Sequence, residues 1–320
     1  MVPTLMRMRA FATILAASLI ALPASAAAPM AKFSAPGFYR LMLGDFEVTA
    51  LNDGTTGLPV EKLLTHITPE KVAAALARAH LTSPVETSFN GFLINTGSKL
   101  VLVDCGAGAL FGPNLGKLVA NLKASGYQPE QVDEIYITHF HPDHVGGLVA
   151  DGQIAFANAV VRADKAEAAF WLSEENMNKA PEDSKRFFKG AMASLNPYVA
   201  AGKFQPFEGA VELVPGVTSR PSHGHTPGHS SYVVESQGQK LILIGDLIHV
   251  GAVQFDNPSV TIAFDSDSKA AEAERKKQFA AAAKEGAMLG AAHLPFSGLG
   301  TVRAQGKGYV WQPVNFVQMH

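Results

Sequence analysis

The sequence predicts an α/β protein in which two mixed β-sheets pack face to face, with helices on both outer faces. Three observations predict it. β-rich runs give way to helical ones in two successive halves, and each half carries ligand-type polar side chains directly after its apolar strands. No linker rich in Pro, Gly or Ser divides the halves, and 320 residues, 47% of them hydrophobic, suffice for a large core. One domain is expected over residues 27–320.

Residues 1–26 are a different material. Arg7 and Arg9 precede an uncharged apolar stretch from Ala10 to Leu22, which ends in Pro23-Ala-Ser-Ala26. A positive segment, a short apolar segment and a small-x-small site form the layout of a secretory signal peptide. The apolar run is too short to span a bilayer comfortably. Cleavage is expected after Ala26, leaving an exported protein with no membrane anchor, periplasmic in a Gram-negative cell.

The elements follow in order. Strands at Tyr39–Leu43 and Phe46–Leu51 flank a Gly44-Asp45 turn. A helix over Pro69–Ala79 is opened by Thr68 as N-cap, with Pro69 in the first helical position. Phe92–Asn95 and Leu100–Val103 enclose Thr96-Gly-Ser98, a hairpin signature. A helix at Leu115–Ala124, a strand at Glu134–Thr138, a strand at Val160–Arg162 and a helix from Asp164 through Trp171 complete the first half. The second half predicts strands at Val211–Leu213, Val217–Arg220, Tyr232–Glu235 and Leu241–Ile244. An Ala/Lys/Glu helix over residues 269–285 and a run Ala287–Ala292 ending at His293 close it.

Charge excludes some functions. With 26 basic and 28 acidic residues, the formal net charge is −2, and no basic stripe offers a nucleic-acid footprint. Arg275-Lys-Lys277 reads as the solvated face of its helix. The single cysteine, Cys105, rules out an intramolecular disulfide and reads as a small buried residue.

The chemistry concentrates at residues 139–144, His-Phe-His-Pro-Asp-His. Three imidazoles and a carboxylate at a strand's end cost stability unless a cation neutralises them. Residues two apart on extended chain point the same way, so His139 and His141 can grip one ion together. Pro142 then turns the chain, leaving Asp143 and His144 to serve a second ion. Further ligand types follow other strands: Ser222-His-Gly-His-Thr-Pro-Gly-His229, Gly245-Asp246 after Leu241-Ile-Leu-Ile244, and His293 after Met288-Leu-Gly-Ala-Ala292. Imidazole and carboxylate suit zinc first, and also manganese, cobalt or iron.

These motifs resemble the metallo-β-lactamase superfamily: HxHxDH at 139–144, HTPGH at 225–229, Gly245-Asp246 and a late histidine. The resemblance implies an αββα sandwich with two divalent ions at one edge. Carried over, His139, His141 and His225 hold the first ion and Asp143, His144 and His293 the second, with Asp246 bridging. Asp104, in Val-Asp-Cys-Gly106, matches an acidic residue that supports a ligand from behind. His229 and His223 fall to supporting duty. Two ions roughly 3.5–4 Å apart share a hydroxide and lower its pKa towards about 7, giving a hydrolase without a serine or cysteine nucleophile. Asp246, Asp143 and His249 are the expected catalytic side chains.

From Ala35 onward the chain is similar to methyl parathion hydrolases and their lactone-hydrolysing, dihydrocoumarin-type relatives. Leu43-Gly-Asp-Phe-Glu47, Phe111-Gly-Pro113 and Gly190-Ala-Met-Ala-Ser-Leu-Asn-Pro197 carry that similarity. It implies a hydrophobic pocket formed by Phe111, Trp171 and Phe188, with His249, Leu63, Ile262 and Phe264 on loops over the ions, and a homodimer. Bulky Phe264 and polar His249 depart from the efficient phosphotriesterase pattern and predict a tight pocket. The expected substrates are aryl lactones or esters first and organophosphates second. Acyl homoserine lactones and β-lactams are alternatives within the fold, and a metal-binding protein with a decayed site is the non-enzyme alternative.

Overall fold

In both large sheets, strands that are neighbours in space are neighbours in the chain. The first sheet runs Phe38–Leu43, Phe46–Leu58, Val85–Asn95, Leu100–Val103, Glu134–Tyr136, Val160–Arg162. The second runs Glu212–Val214, Val217–Pro221, Ser230–Ser236, Gln239–Leu243, Met288–Gly290, Leu299–Gln305, Gly308–Pro313. This computed structural model describes residues 28, 30–32 and 34–318, so the expected signal peptide lies outside the described residues. From Pro36 onward the chain forms one compact unit.

Side-chain alternation builds the layers. In Leu100–Val103, Val101 and Val103 face the second sheet, whereas Leu102 packs under the first sheet's helices with Leu118, Leu122 and Leu195. In Gln239–Leu243, Leu241 and Leu243 join the layer between the sheets, while Ile242 meets Phe279 and Ala282 of the helix Ser268–Glu285. Each such fully buried aliphatic contributes about 1.5–3 kcal/mol. Helix, sheet, sheet, helix is the predicted αββα order.

Most pairings are antiparallel, and the exceptions position the site. Leu100–Val103, Glu134–Tyr136 and Val160–Arg162 run parallel to one another, as do Gln239–Leu243 and Met288–Gly290. Parallel strands end on the same edge, where α/β sheets bind ligands. Asp104, His139, Asp246 and His293 all follow the carboxyl end of one of these strands.

Several boundaries differ from the sequence reading. Phe46–Leu51 continues to Leu58 through a bulge between Asn52 and Gly54. Gly54 sits at φ +136°, where an added Cβ would lie 2.2 Å from the Asn114 carbonyl oxygen. The bulge aims Asp53 inward. Its carboxylate accepts the N–H groups of Ala107, Gly116 and Leu118, so the helix expected from Leu115 starts at Leu118. The strand expected to reach Thr138 stops at Tyr136, because Thr138 turns its N–H and hydroxyl to Asp104. The C-terminal hairpin Leu299–Gln305/Gly308–Pro313 and the full extent of the helix Lys185–Ala200 were not anticipated.

Arg275 corrects the reading of its basic run. Lys276 and Lys277 are exposed, but Arg275 is fully buried and donates to the carbonyls of Leu247, Pro258 and Val260. It lies on the helix's inner face with Ala271, Gln278, Phe279 and Ala282. There it braces the loop that begins at Asp246.

Candidate metal centre

The turn after Glu134–Tyr136 delivers four candidate ligands in six residues. His139 and His141 leave extended backbone together, and Pro142 opens a single helical turn carrying Asp143 and His144. His225 arrives from the loop before Ser230–Ser236, Asp246 from the turn after Gln239–Leu243, and His293 from the loop after Met288–Gly290. Two groups result: His139, His141, His225 and Asp246, and Asp143, His144, His293 and Asp246. In each, the ligand atoms lie within 4.8 Å of one another. All seven residues expected as ligands are therefore brought together.

Asp246 belongs to both groups, and its Oδ2 reaches into each, lying 3.1 Å from His293 Nε2 as well. Its Oδ2 lies 3.3 Å from His225 Nε2 and 3.6 Å from His139 Nε2. Its Oδ1 lies 3.2 Å from His144 Nε2 and 3.1 Å from His293 Nε2. Asp143 Oδ2 is 3.4 Å from each of these two nitrogens. In the first group, His141 Nδ1 is 3.0 Å from His139 Nε2 and 3.1 Å from His225 Nε2.

The outward hydrogen bonds test whether cations fit. His225 Nδ1 is 2.8 Å from Asp265 Oδ1, and His144 Nδ1 is 2.8 Å from Asp104 Oδ2. His293 Nδ1 faces the Ser88 carbonyl at 3.3 Å, and His139 Nδ1 faces Thr138 Oγ1 at 3.1 Å. Each partner can accept a ring N–H. That assigns the proton to Nδ1 and leaves the Nε2 lone pair pointing inward, the arrangement that orients histidine towards a metal. His144 Nε2 and Asp246 Oδ1 are buried without any hydrogen-bond partner, a costly state unless a cation completes them. The residues fit two divalent ions.

Electrostatics divide the imidazoles: against the pull of burial, neighbouring carboxylates raise His144, His225 and His293, whereas His139 and His141 are lowered. Burial, reinforced by neighbouring imidazoles, holds His139 and His141 well below the ordinary imidazole range, hence neutral. Burial also pulls on His144, but Asp246, Asp143 and Asp104 outweigh it and raise that group. Burial would raise Asp246, yet His293, His144 and His139 hold it well below the usual carboxylate range. Burial pushes the Cys105 thiol up, so this residue is a neutral filler, as expected, and not a nucleophile.

The supporting residues fall in two classes. Asp104 and His229 each contact a candidate ligand: Asp104 meets His144 as above, and His229 Nε2 accepts the Asp246 N–H at 3.1 Å, with Ser222 Oγ 2.8 Å from its Nδ1. His223 is half-exposed, 3.4 Å from Asp164. Sequence reasoning missed Asp265 and also Glu167, which bonds the loops on either side of the first group. Neither belongs to a local motif.

A cavity of about 70 Å³ opens onto both groups, lined by His141, Asp143, Asp246 and His293 below and by Leu58, Phe89, Phe111, His249 and Phe264 around. A side cavity of about 400 Å³, reached past Phe187 and Phe264, is lined by Phe170, Trp171 and Phe188. Phe111, Trp171, Phe188, His249 and Phe264 thus line cavities at the site. Leu63 and Ile262 do not. They pack into a separate apolar cluster with Val60, Leu64, Val72 and Val260: Leu63 ends the one-turn helix Val60–Leu63, and Ile262 lies in the ribbon that pairs Leu64–Thr65 with Thr261–Ile262. Leu58, Phe89, Arg186 and Phe187 also line the cavity over the two groups and were not expected there.

A family model described as the metallo-beta-lactamase superfamily matches residues 88–290, a span that holds six of the seven ligand candidates and stops just short of His293. The chain belongs to the metallo-beta-lactamase superfamily. Within the superfamily it is 40% identical to hydrolase AbOPH, covering 89% of this chain and 100% of that one, with a TM-score of 0.85. It is 27% identical to AidC, a dizinc quorum-quenching lactonase solved with an acylated homoserine product, over 88% of this chain and 99% of that one, at a TM-score of 0.82. An N-acyl homoserine lactonase from Bacillus sp is 29% identical over 51% of this chain, and the match spans only 56% of that lactonase.

Proposed function

We propose that this protein is a dinuclear-metal hydrolase that opens lactones and aryl esters, with zinc as the resident metal. The observation that carries the reading is a cluster of seven candidate ligands, four of which floor a roughly 70 Å³ cavity walled by Leu58, Phe89, Phe111 and Phe264. Bound divalent ions supply a nucleophile from water at neutral pH and polarise the bond under attack. The chain's residues do the remainder. Asp246 is shared by the two groups and so ties one to the other. His249 Nε2, 3.1 Å from Asp246 Oδ2, orients that carboxylate, and its Nδ1 is buried without a partner. The aromatic walls exclude water and hold a flat ring over the centre. The side cavity along Trp171 and Phe188 takes a substituent attached to that ring.

The lactonase similarities support lactones over phosphotriesters. Organophosphate hydrolysis is retained as a side activity because the walls are aromatic and the implied nucleophile also suits phosphorus. We further propose an exported, homodimeric protein, resting on the composition of residues 1–26 and on family resemblance. Rates on dihydrocoumarin, an N-acyl homoserine lactone, a chromogenic β-lactam and methyl parathion, measured on the zinc-loaded protein, test the substrate reading. Either lactone should exceed methyl parathion by at least about tenfold in kcat/KM, a discrimination of about 1.4 kcal/mol. Preference for the phosphotriester or the β-lactam would overturn the assignment.

A further inference from the structure

Glu167 is a fully buried acid that the chemistry above does not use. It lies in the first turn of the helix Lys165–Trp171, whose N-cap, Asp164, follows the strand Val160–Arg162. No Lys or Arg pairs with it among the described residues. Its carboxylate spends all its hydrogen bonds on two loops. Oε1 accepts the Phe140 N–H at 2.8 Å, and Oε2 accepts the Thr226 hydroxyl and the Gly228 N–H, each at 2.8 Å. Phe140 sits between His139 and His141, and Thr226 is adjacent to His225. The two loops are far apart in sequence and come from opposite sheets.

The close fit at Gly228 reinforces the contact. A Cβ there would lie 2.2 Å from the Glu167 backbone nitrogen, so only glycine lets the loop approach. We infer that Glu167 is a positioning residue that clamps the HxH loop to the HTPGH loop and thereby sets the spacing of His139, His141 and His225. A carboxylate is required because three donors converge on it. An amide of the same shape has one acceptor oxygen and turns an NH2 group towards the remaining donors. This inference rests on the metal centre proposed above.

The test is metal affinity, measured by chelator competition and by the visible spectrum of the cobalt-substituted protein, together with the melting temperature of the metal-free form. Glu167→Gln should release one of two ions at about ten- to a hundredfold lower chelator concentration and alter the cobalt spectrum. The metal-free melting temperature should stay within a few degrees of wild type. Thr226→Val, which removes one of three donors and leaves the carboxylate in place, should shift the same ion in the same direction by a few-fold. Unchanged affinity and spectrum in Glu167→Gln would overturn the clamp. So would a metal-free form of that variant that melts far lower while both ions bind normally, which marks a purely structural role. Should Glu167→Gln fail to fold, Thr226→Val decides alone, and unaltered affinity there overturns the proposal. Wild-type protein that binds fewer than two ions would instead sink the underlying metal-centre reading.

Discussion

The two ligand groups share Asp246 but are built differently. The first has three imidazoles, with His139 and His225 wholly sequestered from solvent, and Glu167 and Asp265 support it from behind. The second pairs two imidazoles with Asp143, whose side chain retains 12% exposure, and relies on Asp104 and a backbone carbonyl for support. The contrast is one of support and exposure: a braced set of three imidazoles beside a set with an added, partly exposed carboxylate at the cavity floor.

Removing the shared residue should have the largest effect. Asp246→Ala removes the carboxylate that both groups share and leaves five inward-facing imidazoles without their common counter-charge. Turnover should fall by at least about a hundred- to a thousandfold, the scale of losing a preorganised electrostatic group at a reacting centre. Metal analysis should find fewer than two ions per chain. Full occupancy with intact turnover would remove the basis of the comparison.

Separating the groups comes next. Asp265→Asn weakens the acceptor behind His225, and Asp104→Asn does so behind His144. Each should lower affinity for one ion by about ten- to a hundredfold. Titration with a chelator should show different ions released in the two variants, distinguishable by their cobalt spectra. If both variants lost the same ion, the two groups would be a single coupled site and the contrast would fail.

The residues behind these predictions were not equally legible. HxHxDH, HTPGH and Gly245-Asp246 are local patterns, and local patterns survive in a single sequence because the backbone between their members fixes their geometry. Asp265 and Glu167 meet their partners across 40 and 59 residues, so only the packing of two sheets reveals them. Leu63 and Ile262 were misplaced because the sequence of so short an element does not say which way its side chains turn. Arg275 is different. Ala271, Arg275, Gln278, Phe279 and Ala282 recur at helical spacing, so the signal for an inner face was present, and the adjacent lysines masked it. The layer order was legible throughout, since short apolar strands alternate between two buried faces.

The smallest predicted effect concerns Cys105, whose N–H donates to the His144 carbonyl at 2.8 Å and so touches the second group through backbone alone. Its side chain is 1% exposed, and burial, with Asp104 and Asp53 nearby, raises the thiol above its ordinary range. The sign is clear: the thiolate is the disfavoured form, so folded protein should resist alkylation at pH values where an ordinary thiol reacts. Denatured protein should react at one thiol per chain. Cys105→Ala keeps the backbone hydrogen bond and removes only sulfur from a packed corner, so turnover should stay within about twofold while stability falls by about 1 kcal/mol. A large loss of turnover with both ions retained would mean that the sulfur itself serves the second group, making that group less a matter of exposure than of ligand chemistry.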